Sequence, residues 1–140
     1  MAEALRAIDA NVILRYFLRD VPAQAVSARR LIESERPVAV TAVVLAEVAW
    51  TLARPLDHYE RREIAEALIE LLTRENVVAI GFEKGEAALA LAACARDSGA
   101  ANFGDALIAA CARSYGVSEI YTFDQQFARA GLVPIDVASH

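Results

Sequence analysis

Residues 7–20, AIDANVILRYFLRD, pass from a short apolar run through an acid into a helical pattern. Residues 5–9 read as a brief strand that ends at Asp9, and residues 11–18 follow as a helix. A related unit closes the chain, where residues 119–123 form a strand candidate, Asp124 ends it, and residues 125–130 make a short helix. Between the two units, strand and helix patterns alternate. Pro22 suits the first turn of a helix running to about residue 34, with Val26, Arg30 and Leu31 at helical spacing. PVAVT at 37–41 is β-rich and brief, and residues 43–53 form an apolar helix that Pro55 stops.

Asp57 and Glu60 make a D-x-x-E start signal for a helix to about residue 74. In that helix Ile64, Leu68, Leu71 and Leu72 form the apolar face, and Glu63, Glu66 and Glu70 the wet one. NVVAI at 76–80 is a further strand, residues 84–97 and 104–115 are helices, and residues 132–137 supply a last edge strand. Strands alternating with helices predict an α/β domain whose mainly parallel sheet of four to five strands is covered on both faces. The 140 residues carry no repeat, low-complexity tract or linker composition, so one domain spanning 1–140 is expected.

The apolar fraction is 56%, with 24% charged residues. No apolar run reaches the ~18 residues that a membrane crossing needs. The opening MAEALRAIDANV has acids at Glu3 and Asp9 and no basic start, so no secretory signal is expected and the chain reads as cytoplasmic. Cys94 and Cys111 lie in Ala-rich helical patterns without a CxxC or a histidine partner, which favours small buried thiols over a disulfide or metal site. A net charge of −5 argues mildly against a polyanionic partner. Setting aside Asp9, Glu47, Asp105 and Asp124 leaves 15 acids against 14 bases, 13 of them arginine and only Lys84 a lysine. Arginine pairs bidentately with phosphate, although high genomic G+C content produces the same bias.

Those four acids share one property: each interrupts an apolar stretch, in AIDANVIL, VVLAEVAW, NFGDALIAA and IYTFDQQF. Carboxylates seldom enter such company unless their desolvation is compensated. In open parallel sheets, ligands bind outside the carboxyl ends of the strands, so Asp9 and Asp124 are expected at one rim. Asp105 falls at a helix start, after the turn residues Asn102 and Gly104. Glu47 is mid-helix, with Val43, Val44 and Trp50 as helical neighbours, so its carboxylate is expected to emerge from an apolar face.

Local explanations exist for each. Asp9 and Asp124 could cap helices, Asp105 could be a first-turn acid favoured by the helix dipole, and Glu47 the single exposed residue of a buried helix. Capping does not explain Glu47, however, and predicts no shared rim. Converging carboxylates repel unless a cation sits among them, and hard oxygen ligands with only His58 and His140 as histidines favour Mg²⁺ or Mn²⁺ over zinc. Such a site suits a phosphodiester substrate. No serine or cysteine nucleophile has a base beside it, and GFEKGE at 81–86 lacks the Walker pattern, so attack by a metal-activated water is the economical chemistry.

The order of these motifs resembles the PIN-domain ribonucleases, and within them the VapC-type toxins of bacterial toxin–antitoxin pairs. The resemblance runs from AIDANVILRYFLRD through TAVVLAEVAW and NFGDALIAACA to YTFDQQFA. It implies a PIN-like three-layer α/β/α domain and an acidic metal-site quartet of Asp9, Glu47, Asp105 and Asp124. Asn11 and Thr122 match supporting hydrogen-bonding positions around that quartet. The family commonly begins its first motif DTN where this chain has DAN, and often carries an acid at the position of Asn102. The resemblance further implies an Mg²⁺- or Mn²⁺-dependent endoribonuclease acting on structured RNA, with tRNA the favoured guess, a homodimer, and a cognate VapB-like antitoxin that inserts a segment into the toxin's groove. Arg15, Tyr16, Leu18, Trp50 and Arg54 mark candidate surfaces for it, with a core role for Tyr16, Leu18 and Trp50 as the alternative.

Three rival readings stand beside this one. They are a PIN enzyme that processes RNA without an antitoxin, a doubly wound phosphoacceptor, and a non-catalytic binding module. The phosphoacceptor needs paired acids after its first strand and a strand-end lysine, which Asp9 alone and Lys84 do not supply.

Overall fold

The computed structural model describes residues 4–54, 59–96 and 101–139. Among the described residues, five short strands are interspersed with six α-helices, mostly in pairs. β1 (Arg6–Ala7), β2 (Val38–Thr41) and β3 (Val77–Ile80) form one parallel ladder in that order. β4 (Glu119–Thr122) and β5 (Val133–Asp136) form a second, also parallel. The expected α/β class with parallel strands is therefore present. Its hydrogen bonds, however, divide the five strands three and two, and no ladder joins β1 to β4 among the described residues.

The first two strands end where a capping residue begins the next helix. Asp9 ends the first pattern by capping α1 (Ala10–Leu18), and Thr41 ends the second by capping α3 (Ala42–Leu52). β2 is the middle strand of its ladder, and Val38, Ala39 and Val40 are fully buried, as a strand covered on both faces must be.

α2 (Pro22–Ile32) begins at its proline and buries Ala28 and Ile32, leaving the expected marker Val26 exposed. In α4 (Arg61–Thr73), Ile64, Leu68, Leu71 and Leu72 are all buried, and Glu63, Glu66 and Glu70 are exposed. That helix starts later than the D-x-x-E signal suggests. Glu60 is its N-cap and closes a capping box with Glu63, whereas Asp57 lies outside the described residues. α5 (Lys84–Arg96) and α6 (Phe103–Ser114) pack against each other, and α6 also packs on α3. A 3-10 helix, Gln125–Ala130, follows β4 and buries Phe127.

The core joins residues of five elements: Ile13 of α1, Val40 of β2, Leu45 and Val48 of α3, Leu68 of α4 and Leu91 of α5. At roughly 1.5–3 kcal/mol for each fully buried aliphatic side chain, this contiguous cluster is the main favourable term in folding. No charged side chain is buried among the described residues. Cys94 is buried and Cys111 half-buried, both as free thiols. No helix among the described residues is long and apolar enough to cross a membrane.

Candidate metal and nucleic-acid site

Parallel register sets the first part of the site. Arg6 pairs with Val38 and Ala7 with Ala39, and the Ile8 amide donates to the Ala39 carbonyl at 3.0 Å. Continued by two residues, that register brings Asp9 level with Thr41, which itself pairs with Ile80. Asp9 and the start of α3 therefore share the carboxyl rim of the three-stranded ladder. Asp9 is exposed, and its Oδ1 accepts the Val12 amide at 3.1 Å, leaving Oδ2 outside the cap. Asn11 lines the groove beside it, together with Arg15, Gln24 and Ser27. Arg15 is held there by both carboxylate oxygens of Asp20, at 2.9 and 3.1 Å.

Glu47 lies six residues beyond Thr41, about 9 Å along α3. The helix buries Leu45, Val48, Ala49 and Leu52, so Glu47 occupies the opposite face with Val43 and Trp50. This corrects one expectation. The face is apolar in composition but solvent-exposed, with Val43 77% and Trp50 69% accessible, so Glu47 is not a lone exposed residue. An open cleft carries Glu47 and Trp50 on one side and Arg61, Asn102, Phe103 and Gly104 on the other. The Arg54 guanidinium stands 5.8 Å from the Trp50 ring centre. Trp50 and Arg54 are thus surface groups, while Tyr16 and Leu18 are half-buried and pack against the core.

Asp105 follows directly on the far wall of the cleft, which ends at Gly104. Asn102 is the N-cap of α6, and its Oδ1 accepts the Asp105 amide at 2.8 Å. Its Nδ2 donates to Asp105 Oδ2 at 3.2 Å. Asn102 therefore holds its neighbour's carboxylate. Through Asn102, the cleft brings the Glu47 and Asp105 segments together.

Asp124 follows β4, in the second ladder. It is exposed, its Oδ1 caps the 3-10 helix by accepting the Gln126 amide at 2.9 Å, and its own amide donates to Thr122 Oγ1 at 2.9 Å. Thr122 thus shapes the turn that carries Asp124. No strand register relates this turn to Asp9. Three of the four acids do serve the local roles open to them, two as caps and one in a first turn.

Among the described residues, no group of three or more His, Cys, Asp or Glu side chains is gathered to hold a metal ion. The chemistry of the donors nonetheless fits a hard cation, since all four are carboxylates, none is buried, and none forms an ion pair with a described arginine or lysine. Lys84 spends its ammonium on the Arg74 carbonyl at 2.9 Å, and burial lowers its pKa. That removes the strand-end lysine a phosphoacceptor requires. His58 and His140 lie outside the described residues.

Sequence patterns missed Arg61. Its Nε donates to the Cys94 carbonyl at 2.7 Å and one Nη to the Ala101 carbonyl at 2.5 Å. Both partners are backbone groups, which leave no residue-type signal. Burial pushes the Cys94 thiol up, and the neighbouring Arg61 charge partly offsets that rise.

Parallel strands with helix starts at their carboxyl ends define an α/β protein. The PIN domain profile matches residues 7–132, and the chain belongs to the PIN domain family, whose members are generally metal-dependent nucleases. No curated protein and no solved structure matches the chain significantly.

Proposed function

We propose that the chain, as one PIN domain over 1–140, is an Mg²⁺- or Mn²⁺-dependent endoribonuclease. The observation that carries this reading is the cleft between the Glu47 face of α3 and the start of α6, where Asn102 lines the cleft and holds the Asp105 carboxylate, within a chain of the PIN family. Asp105 and Glu47 are the first pair of ligands, with Asp9 at the adjoining strand rim and Asp124 completing the quartet. Asp105, Glu47, Asp9 and Asp124 would hold the cation, which would supply a water of lowered pKa and charge stabilisation for the phosphoryl and leaving oxygens. The chain's own part is to hold carboxylates in place before substrate arrives. Asn102 orients Asp105, Thr122 shapes the Asp124 turn, and Asn11 lies beside Asp9.

The exposed Trp50 beside Glu47 suits an unstacked RNA base, since single-stranded RNA is commonly bound by stacking on aromatic rings. In the cell we place the enzyme in the cytoplasm, as the homodimeric toxin of a toxin–antitoxin pair that inhibits translation by cutting RNA, tRNA being the favoured target. RNA processing without an antitoxin is the second reading.

The test is cleavage of a mixed RNA pool by purified protein with Mn²⁺, with excess chelator, and with Asp9→Asn. Cleavage that survives chelator or the substitution undiminished would sink the metal mechanism. Co-expression with the neighbouring reading frame separates the two cellular roles, because a toxin is captured and silenced by its partner and a processing enzyme is not.

A further inference from the structure

Arg61 is the first residue of α4, yet its side chain serves α5 and α6. The Cys94 carbonyl that it binds is in the last turn of α5, where carbonyls lack helical partners. The Ala101 carbonyl that it binds also accepts from Cys94 Sγ at 3.4 Å, and Ala101 immediately precedes the Asn102 cap. The guanidinium carbon stands 5.3 Å from the centre of the Phe103 ring. These contacts reach 33 and 40 residues along the chain, on either side of residues 97–100. A planar guanidinium fixes direction as well as distance, because its donors cannot rotate independently.

The next link is Asn102, whose side chain takes the Asp105 amide and gives a hydrogen bond to the Asp105 carboxylate. Displacing Ala101 therefore displaces the group that holds Asp105. We infer that Arg61 is a positioning residue for the metal site, setting Asp105 against Glu47 through Ala101 and Asn102 without being a ligand itself. This inference rests on the metal-dependent nuclease reading.

The test compares Arg61→Met, which keeps an apolar stem over Phe103, with Arg61→Lys, which keeps the charge and one donor direction. Mn²⁺ affinity is measured by calorimetry on the protein alone, and kcat and KM on an RNA substrate. Amide exchange is followed at Asp105 and Ala106, which bond to Asn102. Arg61→Met is expected to weaken Mn²⁺ about 10-fold, as loss of an outer-shell support does. It should also lower kcat more than it changes KM, and speed exchange at both amides; Arg61→Lys should recover part of each loss. In a background of Asn102→Ala, which already breaks the relay, Arg61→Met should weaken Mn²⁺ by much less.

Unchanged Mn²⁺ affinity with a raised KM would overturn the inference in favour of a direct phosphate contact. A lowered melting temperature with unchanged affinity and exchange in the folded protein would overturn it in favour of a simple staple. Wild-type protein that binds no Mn²⁺ would instead remove the nuclease reading beneath it, a result distinct from a variant that matches a binding wild type.

Discussion

Two halves of the candidate site are held in opposite ways. Glu47 and Asp105 sit on helices fixed by tertiary packing. α6 packs on both α3 and α5, and Arg61 ties the α5 end to the α6 start over 33 and 40 residues. Asp9, Asp105 and Asp124 all make bonds that span two or three residues, to Val12, Asn102 and Gln126, but only Asn102 directly follows a residue, Ala101, that the distant Arg61 holds. A locally capped carboxylate keeps its turn even when distant packing loosens. One presented by docked helices moves whenever the docking changes. The Glu47–Asp105 side should therefore be sensitive to substitutions far from it, and the Asp9 and Asp124 turns only to substitutions within them.

The largest effect should come from removing a carboxylate outright. Asp9→Asn and Asp105→Asn should each reduce Mn²⁺-dependent RNA cleavage more than ~100-fold, several kcal/mol of lost charge stabilisation. Circular dichroism should show the fold retained in both, and equal losses would make both halves essential. Next comes Asn102→Ala, which removes the α6 cap and frees the Asp105 carboxylate. It should cost about 1 kcal/mol of stability in denaturant titration and about 10-fold in cleavage rate. An intact rate in that variant would show that Asp105 needs no such support.

Smaller still is Thr122→Val, which deletes one hydroxyl contact to the Asp124 amide. It should cost about 0.5–1 kcal/mol in denaturant titration and weaken Mn²⁺ by less than Asn102→Ala does. Titration of Cys94 gives the least effect. Its folded pKa is raised, so the protonated thiol favours the native state. That contribution is complete below the unfolded thiol value of about 8.5 and is lost as pH rises through the folded value. Stability should therefore fall slightly on the alkaline side, and Cys94 should resist alkylation at neutral pH. Alkylation as fast as in a denatured control would contradict the burial.

The same contrast explains what could be read beforehand. α4 was legible because it is amphipathic, with buried Ile64, Leu68, Leu71 and Leu72 opposite three glutamates. α3 was legible as a helix but not in which face it buries, because nearly every residue in AVVLAEVAWTL is apolar and the pattern marks no single inner face. Packing chose Leu45, Val48, Ala49 and Leu52, and left Val43, Glu47 and Trp50 outside. Asp9 and Asp124 were located correctly at strand ends, since caps are written in local residue types. Whether those strands share a ladder is a matter of long-range pairing, and the hydrogen bonds divide them three and two. Arg61 left no trace for a related reason, since its targets are carbonyls that every residue possesses.

Trp50 is the only tryptophan in the chain, and it stands exposed one turn from Glu47. The protein therefore carries its own optical probe. An indole in water emits at longer wavelength than a covered one, and a stacked base quenches it. A stacked nucleotide, an inserted peptide or a second subunit at that cleft should each alter the emission differently, with no label attached.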